Sequence, residues 1–172
     1  MEEWRGMSPK QIGTMIYDWF KEDGFPVEDA GVPNTDFSWG VTTTNRKIYV
    51  FKFKNRKDSV LVSSGIVFGE NKERILSGPQ LGDTFHELIA KYLELGLNYN
   101  FQPNPQNADL IELSQHIHYD GLTKHELIRT LCLLRNITIW TQQKLSKEIN
   151  GSVDVANLES VSSPVSGGLP FE

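Results

Sequence analysis

The sequence has little cysteine, a deficit of basic residues and no long apolar run. Cys132 is the one cysteine among 172 residues, so it has no partner for an intrachain disulfide and fits a reducing compartment. No run of about eighteen apolar residues occurs, and residues 1–7 are acidic and polar, so we expect neither a membrane span nor a signal peptide. The sequence therefore predicts a cytoplasmic protein whose fold depends on a single hydrophobic core.

Acidic residues outnumber basic ones. The chain has 22 Asp and Glu against 17 Lys and Arg, and its net charge is -5. Because lysine and arginine supply the contacts to phosphate, this balance argues against nucleic-acid binding by the surface as a whole. A local basic patch stays open as an alternative.

The common catalytic and nucleotide-binding motifs are missing. There is no glycine-rich phosphate loop, and Ser63 lacks the preceding glycine of a nucleophile elbow. His86 and His125 each begin like a zinc-protease helix motif, but the second histidine is replaced by Ala90 and Arg129. We therefore expect no catalytic residues, no cofactor and no enzymatic activity.

His116 and His118 are the one candidate metal pair. They alternate in a predicted strand, so both imidazoles project from one face, about 7 Å apart, with Glu112 and Ser114 on the same side. Two histidines are too few for a closed zinc site, and no further ligand follows at a suitable spacing. The sequence predicts no metal site, and exposed strand histidines are the simpler interpretation.

Periodic segments follow one another in the order αβββαββα. Ser8 before Pro9 marks the start of a first helix over about 9–23, and three alternating strands follow as a meander. Thr84 and Glu87 form a capping-box pattern that opens a second helix. Its apolar stripe consists of Phe85, Leu88, Ile89, Tyr92 and Leu93.

A second hairpin follows, and Thr123 with Glu126 opens a long third helix that reaches about Ile149. The whole pattern predicts one α+β domain over 1–150, with a five-stranded, mainly antiparallel sheet packed with three helices. Residues 151–172 contain no basic residue and many serines and glycines, which predicts a flexible acidic tail.

The third helix is longer than a five-stranded sheet needs. Leu133, Ile137 and Trp140 fall away from its first apolar stripe, which favours contact with a protein partner. A helix packed centrally in its own core explains the same residues. The tail ends in an apolar Leu169, Pro170 and Phe171, which suggests a short docking peptide, with plain disorder as the alternative.

A hairpin rich in basic residues, over 46–57, supports nucleic-acid binding as the alternative function. Aromatic residues alternate with basic ones over 46–57, as on nucleic-acid platforms, which favours a nucleic-acid-associated accessory protein with a docking tail. Solvated lysines that deter edge pairing are the competing explanation. The basic residues concerned are Arg46, Lys52, Lys54, Arg56 and Lys57.

The segment Val60 to Phe68, VLVSSGIVF, follows this hairpin, and together with the order of elements it resembles an uncharacterised family of small archaeal proteins. That family in turn resembles type III secretion chaperones in fold. The resemblance implies a compact α+β domain, the capacity to form a homodimer, and no known catalytic residues. We therefore expect a non-enzymatic, chaperone-like protein-interaction domain whose partner the sequence does not name.

Overall fold

The computed structural model describes residues 6–44 and 46–148. Within them the structure has four helices: α1 Pro9–Glu22, α2 Lys72–Leu76, α3 Leu81–Glu94 and α4 Lys124–Glu148. It has six strands: β1 Val27–Asp29, β2 Thr35–Thr43, β3 Arg46–Phe53, β4 Ser59–Val67, β5 Asn98–Gln102 and β6 Leu110–His118. Short 3₁₀ turns lie at Gly69–Asn71, Pro105–Asn107 and Tyr119–Gly121.

The six strands form one antiparallel sheet in the order β1-β2-β3-β4-β6-β5. The predicted α+β class and antiparallel sheet are confirmed, but the predicted five strands and three helices are wrong. The additional strand is β1, whose three residues pair with β2, as in Val27 opposite Val41. The additional helix is α2, a single short segment in the polar connector between β4 and α3.

All four helices lie against one face of the sheet. Their apolar residues share a core cluster with the strand residues of that face, such as Val41, Val50, Val62 and Ile111. α4 covers the central strands β3, β4 and β6, while α1 covers β1 and β2 and α3 covers β5. We call the opposite side the distal face. Its apolar cluster consists of Tyr49, Phe51 and Leu61 with Ala30 and Phe53.

Two of the three predicted helix starts are confirmed. The Ser8 hydroxyl accepts from the Gln11 amide, and the Gln11 side chain accepts from the Ser8 amide, which completes a capping box. The Thr123 hydroxyl accepts from the Glu126 amide at the start of α4. The start at Thr84 is wrong because α3 already begins at Leu81, so Thr84 lies within the helix.

Some predictions fall outside the described residues. The acidic tail 151–172 and its docking peptide Leu169, Pro170 and Phe171 lie there, as does the predicted domain boundary at 150. None of the helices in residues 6–44 and 46–148 combines the length and the apolar character that crossing a bilayer requires.

Gly13 sets the approach of α1 to the sheet. A Cβ at this position would lie 2.7 Å from the Cγ of Phe37 on β2, which is closer than real Cβ contacts allow. The indole of Trp39, also on β2, donates to the Gly13 carbonyl at 2.9 Å. The missing side chain therefore lets the helix backbone come within hydrogen-bonding distance of a β2 side chain.

Replacing Gly13 by alanine should therefore lower the free energy of unfolding. Crowding in a packed core costs about 1–3 kcal/mol, whereas the gain in helix propensity offsets about 1 kcal/mol. Gly82→Ala on α3 is the matched control, because a Cβ there meets nothing within 4 Å. Urea unfolding should show a loss for Gly13→Ala and no loss for Gly82→Ala. Equal effects of the two changes would contradict this account of the α1 contact.

Candidate functional site

The predicted partner surface on α4 is largely used by the fold itself. Ile137 is 4% exposed and belongs to the core, so its placement on a free surface is wrong. Leu133 and Trp140 are half-buried and pack against the same core. α4 contacts α2 and α3 as well as the sheet, so the helix has neighbours on more than one side. Lys144 lies over the Trp140 ring, 5.4 Å from its centroid.

The predicted basic patch is divided by the structure. Lys52 is 3% exposed, and its ammonium donates to Asp36 at 2.7 Å and to the Arg56 carbonyl at 2.8 Å. Its prediction as a phosphate contact is therefore wrong, because the charge is already paired inside the fold. Lys54, Arg56 and Lys57 are exposed on the turn between β3 and β4.

Arg46 lies at the other end of β3 and is half-buried, and burial lowers the pKa of its guanidinium. An eight-residue strand separates it from Lys54 by roughly 25 Å at the rise of a β-strand. Arg46 therefore does not belong to the same patch as the three exposed residues of the turn.

The two histidines share the distal face, as predicted. His116 is half-buried, and its Nδ1 lies 3.4 Å from the Ser59 hydroxyl, while His118 is exposed. Burial lowers the pKa of His116, and the nearby charges of Arg56 and His118 lower it further. No carboxylate of the described residues bonds to His116, and those residues contain no group of three ligands placed to hold a metal. The serine and histidine thus lack the third group of a catalytic triad.

Glu112 is a half-buried carboxylate on the distal face. It accepts hydrogen bonds from the Ser63 hydroxyl at 3.1 Å and the Gln102 amide at 3.2 Å. Burial raises its pKa, and these two hydrogen bonds oppose that rise. His116 lies four positions further along β6, about 13 Å away, so the two groups do not share a proton directly.

The two edges of the sheet differ in chemistry. β1 is three residues long, carries Glu28 and Asp29, and lies between Pro26 and Pro33. Short length, charge and proline are the features that protect natural sheet edges from pairing. β5 has five residues, Asn-Tyr-Asn-Phe-Gln, with no charge and no proline, and no described strand pairs with its outer side. Pro103 directly follows β5, as Pro26 directly precedes β1, so the two edges differ in length and charge, and of the two only β5 lacks the protection that charged side chains give.

Leu93 adds an exposed apolar group beside this edge. It lies on α3, the helix that covers β5, and is 63% exposed. Its prediction as part of the buried stripe of that helix is wrong. At about 100° per residue it lies roughly a quarter-turn away from the direction of Phe85, Leu88 and Tyr92, which are buried. That angle was the sequence signal that could have identified it.

We refer to β5 and the exposed side of α3 around Leu93 together as the β5–α3 edge. It is the part of the described surface that combines an unprotected strand with an exposed leucine. Apolar side chains beside a free strand are chemically suited to bind a protein segment, and they supply no group that carries out a reaction.

Replacing Glu112 by glutamine should stabilise the fold at neutral pH. Folding raises the pKa of this carboxyl above its ordinary pKa of 4.5. Its contribution to the free energy of unfolding is therefore fully present below pH 4.5, and it is lost as the pH rises through the raised pKa. The stability difference between Glu112→Gln and the parent chain should therefore vanish at acidic pH and grow above it. Urea unfolding across pH measures this, with exposed Glu73→Gln as the control for net charge. A difference independent of pH would contradict the prediction.

The chain matches one protein family and is similar in fold to a solved structure. The family model of uncharacterized conserved proteins, DUF2299, matches residues 12–145, from α1 into α4. The crystal structure of an uncharacterized protein from Methanothermobacter thermautotrophicus is similar, with a TM-score of 0.71 and 15% identity. The match covers 80% of this chain and 98% of that chain, and at this identity it shows the fold alone. No curated protein matches the chain.

The predicted resemblance to an uncharacterised family is thus confirmed at the level of the family. A secretion-chaperone-like fold and an archaeal source stay predictions, although the similar structure comes from a methanogenic archaeon. The chain belongs to the DUF2299 family of uncharacterized conserved proteins.

Proposed function

We propose that this chain is a non-enzymatic, chaperone-like protein-interaction domain that binds its partner along the β5–α3 edge. The observation that carries the proposal is the pairing of an uncharged, unprotected edge strand with a leucine that is 63% exposed. A cytoplasmic location fits the single free cysteine, Cys132.

The edge offers two kinds of contact to a protein segment. Backbone donors and acceptors on the outer side of β5 are suited to an added strand, which supplies affinity through main-chain hydrogen bonds. Leu93 supplies apolar contact, and full burial of such a side chain is worth about 1.5–3 kcal/mol. The combination suits a partner that has both an exposed strand and an apolar side chain next to it.

The separation of the ionisable groups supports the non-enzymatic part of the proposal. Glu112 is held by Ser63 and Gln102, and His116 contacts Ser59, so neither touches the other or a described carboxylate. Each group instead has a cross-strand partner on the distal face. This arrangement supports a binding role over acid-base catalysis, which needs groups within hydrogen-bond reach of one another or of a substrate.

A nucleic-acid-associated role is the alternative. What favours it is the exposure of Lys54, Arg56 and Lys57 on one turn, which is enough for a few phosphate contacts. Against it stand the net charge of -5 and the burial of Lys52.

Capture from an extract of the native host tests the proposal. The full chain is immobilised beside two variants, Leu93→Glu on the edge and Gln143→Glu on the exposed side of α4. We expect a protein to be retained by the parent chain and by Gln143→Glu, and at least about tenfold more weakly by Leu93→Glu, a change of about 1.4 kcal/mol in binding.

Two results would contradict the proposed surface. One is retention of the same protein by all three chains. The other is retention of nucleic acid that survives in Leu93→Glu and is lost in a further immobilised variant, Lys54→Glu, which would favour the alternative.

A further inference from the structure

Two histidines and a buried serine meet at one corner of the distal face. His116 stands directly opposite Leu61 of the distal apolar cluster, and His118 stands opposite Ser59, so both imidazoles share the face with that cluster. Ser59 is 7% exposed, and its hydroxyl lies 3.4 Å from Nδ1 of His116. This contact fixes the orientation of the ring and leaves its other nitrogen, Nε2, without a bond to a described residue.

The turn between β3 and β4 brings Arg56 to the same corner. Its amide donates to the Phe53 carbonyl at 3.1 Å and its carbonyl accepts from Lys52, so its backbone is held on both sides. Burial lowers the pKa of His116, and the charge of Arg56 lowers it further, which places the guanidinium near this imidazole. We call Arg56, Ser59, His116 and His118 together the histidine corner.

The positive groups of the histidine corner have no bonded carboxylate in the part of the chain that the structure describes. The ion pairs found there leave out Arg56, His116 and His118, and the bond of His116 goes to a serine. Like charges that are held close together repel one another, and an anion placed between them removes that repulsion. The corner therefore has donors and positive charge directed at a ligand from outside the fold.

The acidic groups of the neighbouring elements are paired elsewhere or exposed. Asp36 of β2 is already in an ion pair with the buried lysine of β3. Asp58 precedes the corner, and Tyr119 and Asp120 follow it. Burial raises the pKa of Tyr119 to about 12, and the charges of Asp36 and Asp58 add to that rise. Asp58 and Asp120 are exposed, so salt screens them, and exposed Lys57 lies beside Asp58.

A compact dianion suits this corner better than a nucleic-acid backbone. Three positive groups converge near one point, so they match an anion whose charge is concentrated on a single group, as in a terminal phosphate. A chain of phosphodiesters is instead bound by a row of cations along its length. That row is missing here, because Lys52 is paired inside the fold and Arg46 lies at the far end of β3.

We propose that the histidine corner binds a doubly charged phosphate group, either as the free ion or at the end of a small phosphorylated molecule. The Arg56 guanidinium and the protonated imidazoles of His116 and His118 donate to the phosphate oxygens, and Ser59 positions His116. This site lies on the β3–β4 turn and the end of β6, away from the β5–α3 edge. The inference therefore does not rest on the proposed function.

A nuclear magnetic resonance titration of the full chain tests the inference. Sodium phosphate in one series and glycerol phosphate in another should shift the imidazole signals of His116 and His118 along a saturating curve. His86, exposed on α3, is the control within the same sample and should not respond. Tighter binding of glycerol phosphate would identify a phosphorylated molecule as the ligand, and tighter binding of phosphate the free ion. Equal shifts at all three histidines would be an effect of salt alone and would overturn the inference.

The dependence on pH tests the part played by the histidines. Sulfate keeps its double charge throughout this range, so a change in its affinity comes from the protein. Since the imidazoles attract the anion only when protonated, sulfate should bind roughly tenfold more tightly at about pH 5.5 than at about pH 8. An affinity for sulfate that does not change with pH would overturn the inference.

Two charge-matched variants test the part played by the arginine. Arg56→Gln should weaken the binding of glycerol phosphate at least about tenfold, whereas Lys21→Gln, at the end of α1 on the helix side of the sheet, should bind as the parent chain does. Both side chains are exposed, and unchanged melting temperatures would show that the fold is kept. Equal weakening by the two changes would overturn the inference. A single-stranded oligonucleotide that binds this corner more tightly than glycerol phosphate would overturn it as well.

Discussion

The packing of α4 across the central strands is the contact on which the rest of the structure depends. Leu127, Leu131, Leu134 and Leu145 are fully buried between this helix and its neighbours. Polar contacts fix it as well: the Thr138 hydroxyl donates to Ser64 of β4 at 3.0 Å. Such buried hydrogen bonds define one register of helix on sheet, because a shifted helix would leave these hydroxyls unsatisfied.

The position of α4 decides what remains accessible. Because one helix of 25 residues occupies the centre of the sheet, α1 and α3 are confined to its two sides. α1 comes close to β2 through Gly13, and β1 protects the edge beyond it with acidic residues. On the other side nothing described lies beyond β5. The candidate binding surface is thus a consequence of how the core is filled, and not of a separate motif.

Local signals predicted much of this fold. Ser8 and Thr123 predict the starts of α1 and α4 because helix capping is a contact between residues three positions apart. Alternation of side chains is also a local signal, and it predicts β2, β3, β4 and β6. β1 was missed because three residues beside proline have no period of their own and become a strand only by pairing with β2. Long-range packing of this kind leaves no trace in the order of residues.

The candidate site was less predictable from the sequence. Ile137 looked free because the core cluster that buries it is assembled from elements elsewhere in the chain. Lys52 looked exposed because its partner Asp36 lies sixteen residues away, at an irregularity in the pairing of β2 with β3. Leu93 looked buried because the predicted apolar stripe of α3 covered a wider arc of the helix than the side that is buried. For Ile137 and Lys52 the deciding neighbour was a property of the assembled fold, whereas the angle of Leu93 around its helix was already present in the sequence.

Amide hydrogen exchange of the full chain, followed residue by residue with and without the host protein that it captures, tests the central claim most directly. We expect the bound protein to slow the exchange of the outward-facing amides of β5 and to leave those of β1 unchanged. Exchange in β5 that the added protein does not change would contradict the claim, since that result would mean that the β5–α3 edge is not the surface that binds.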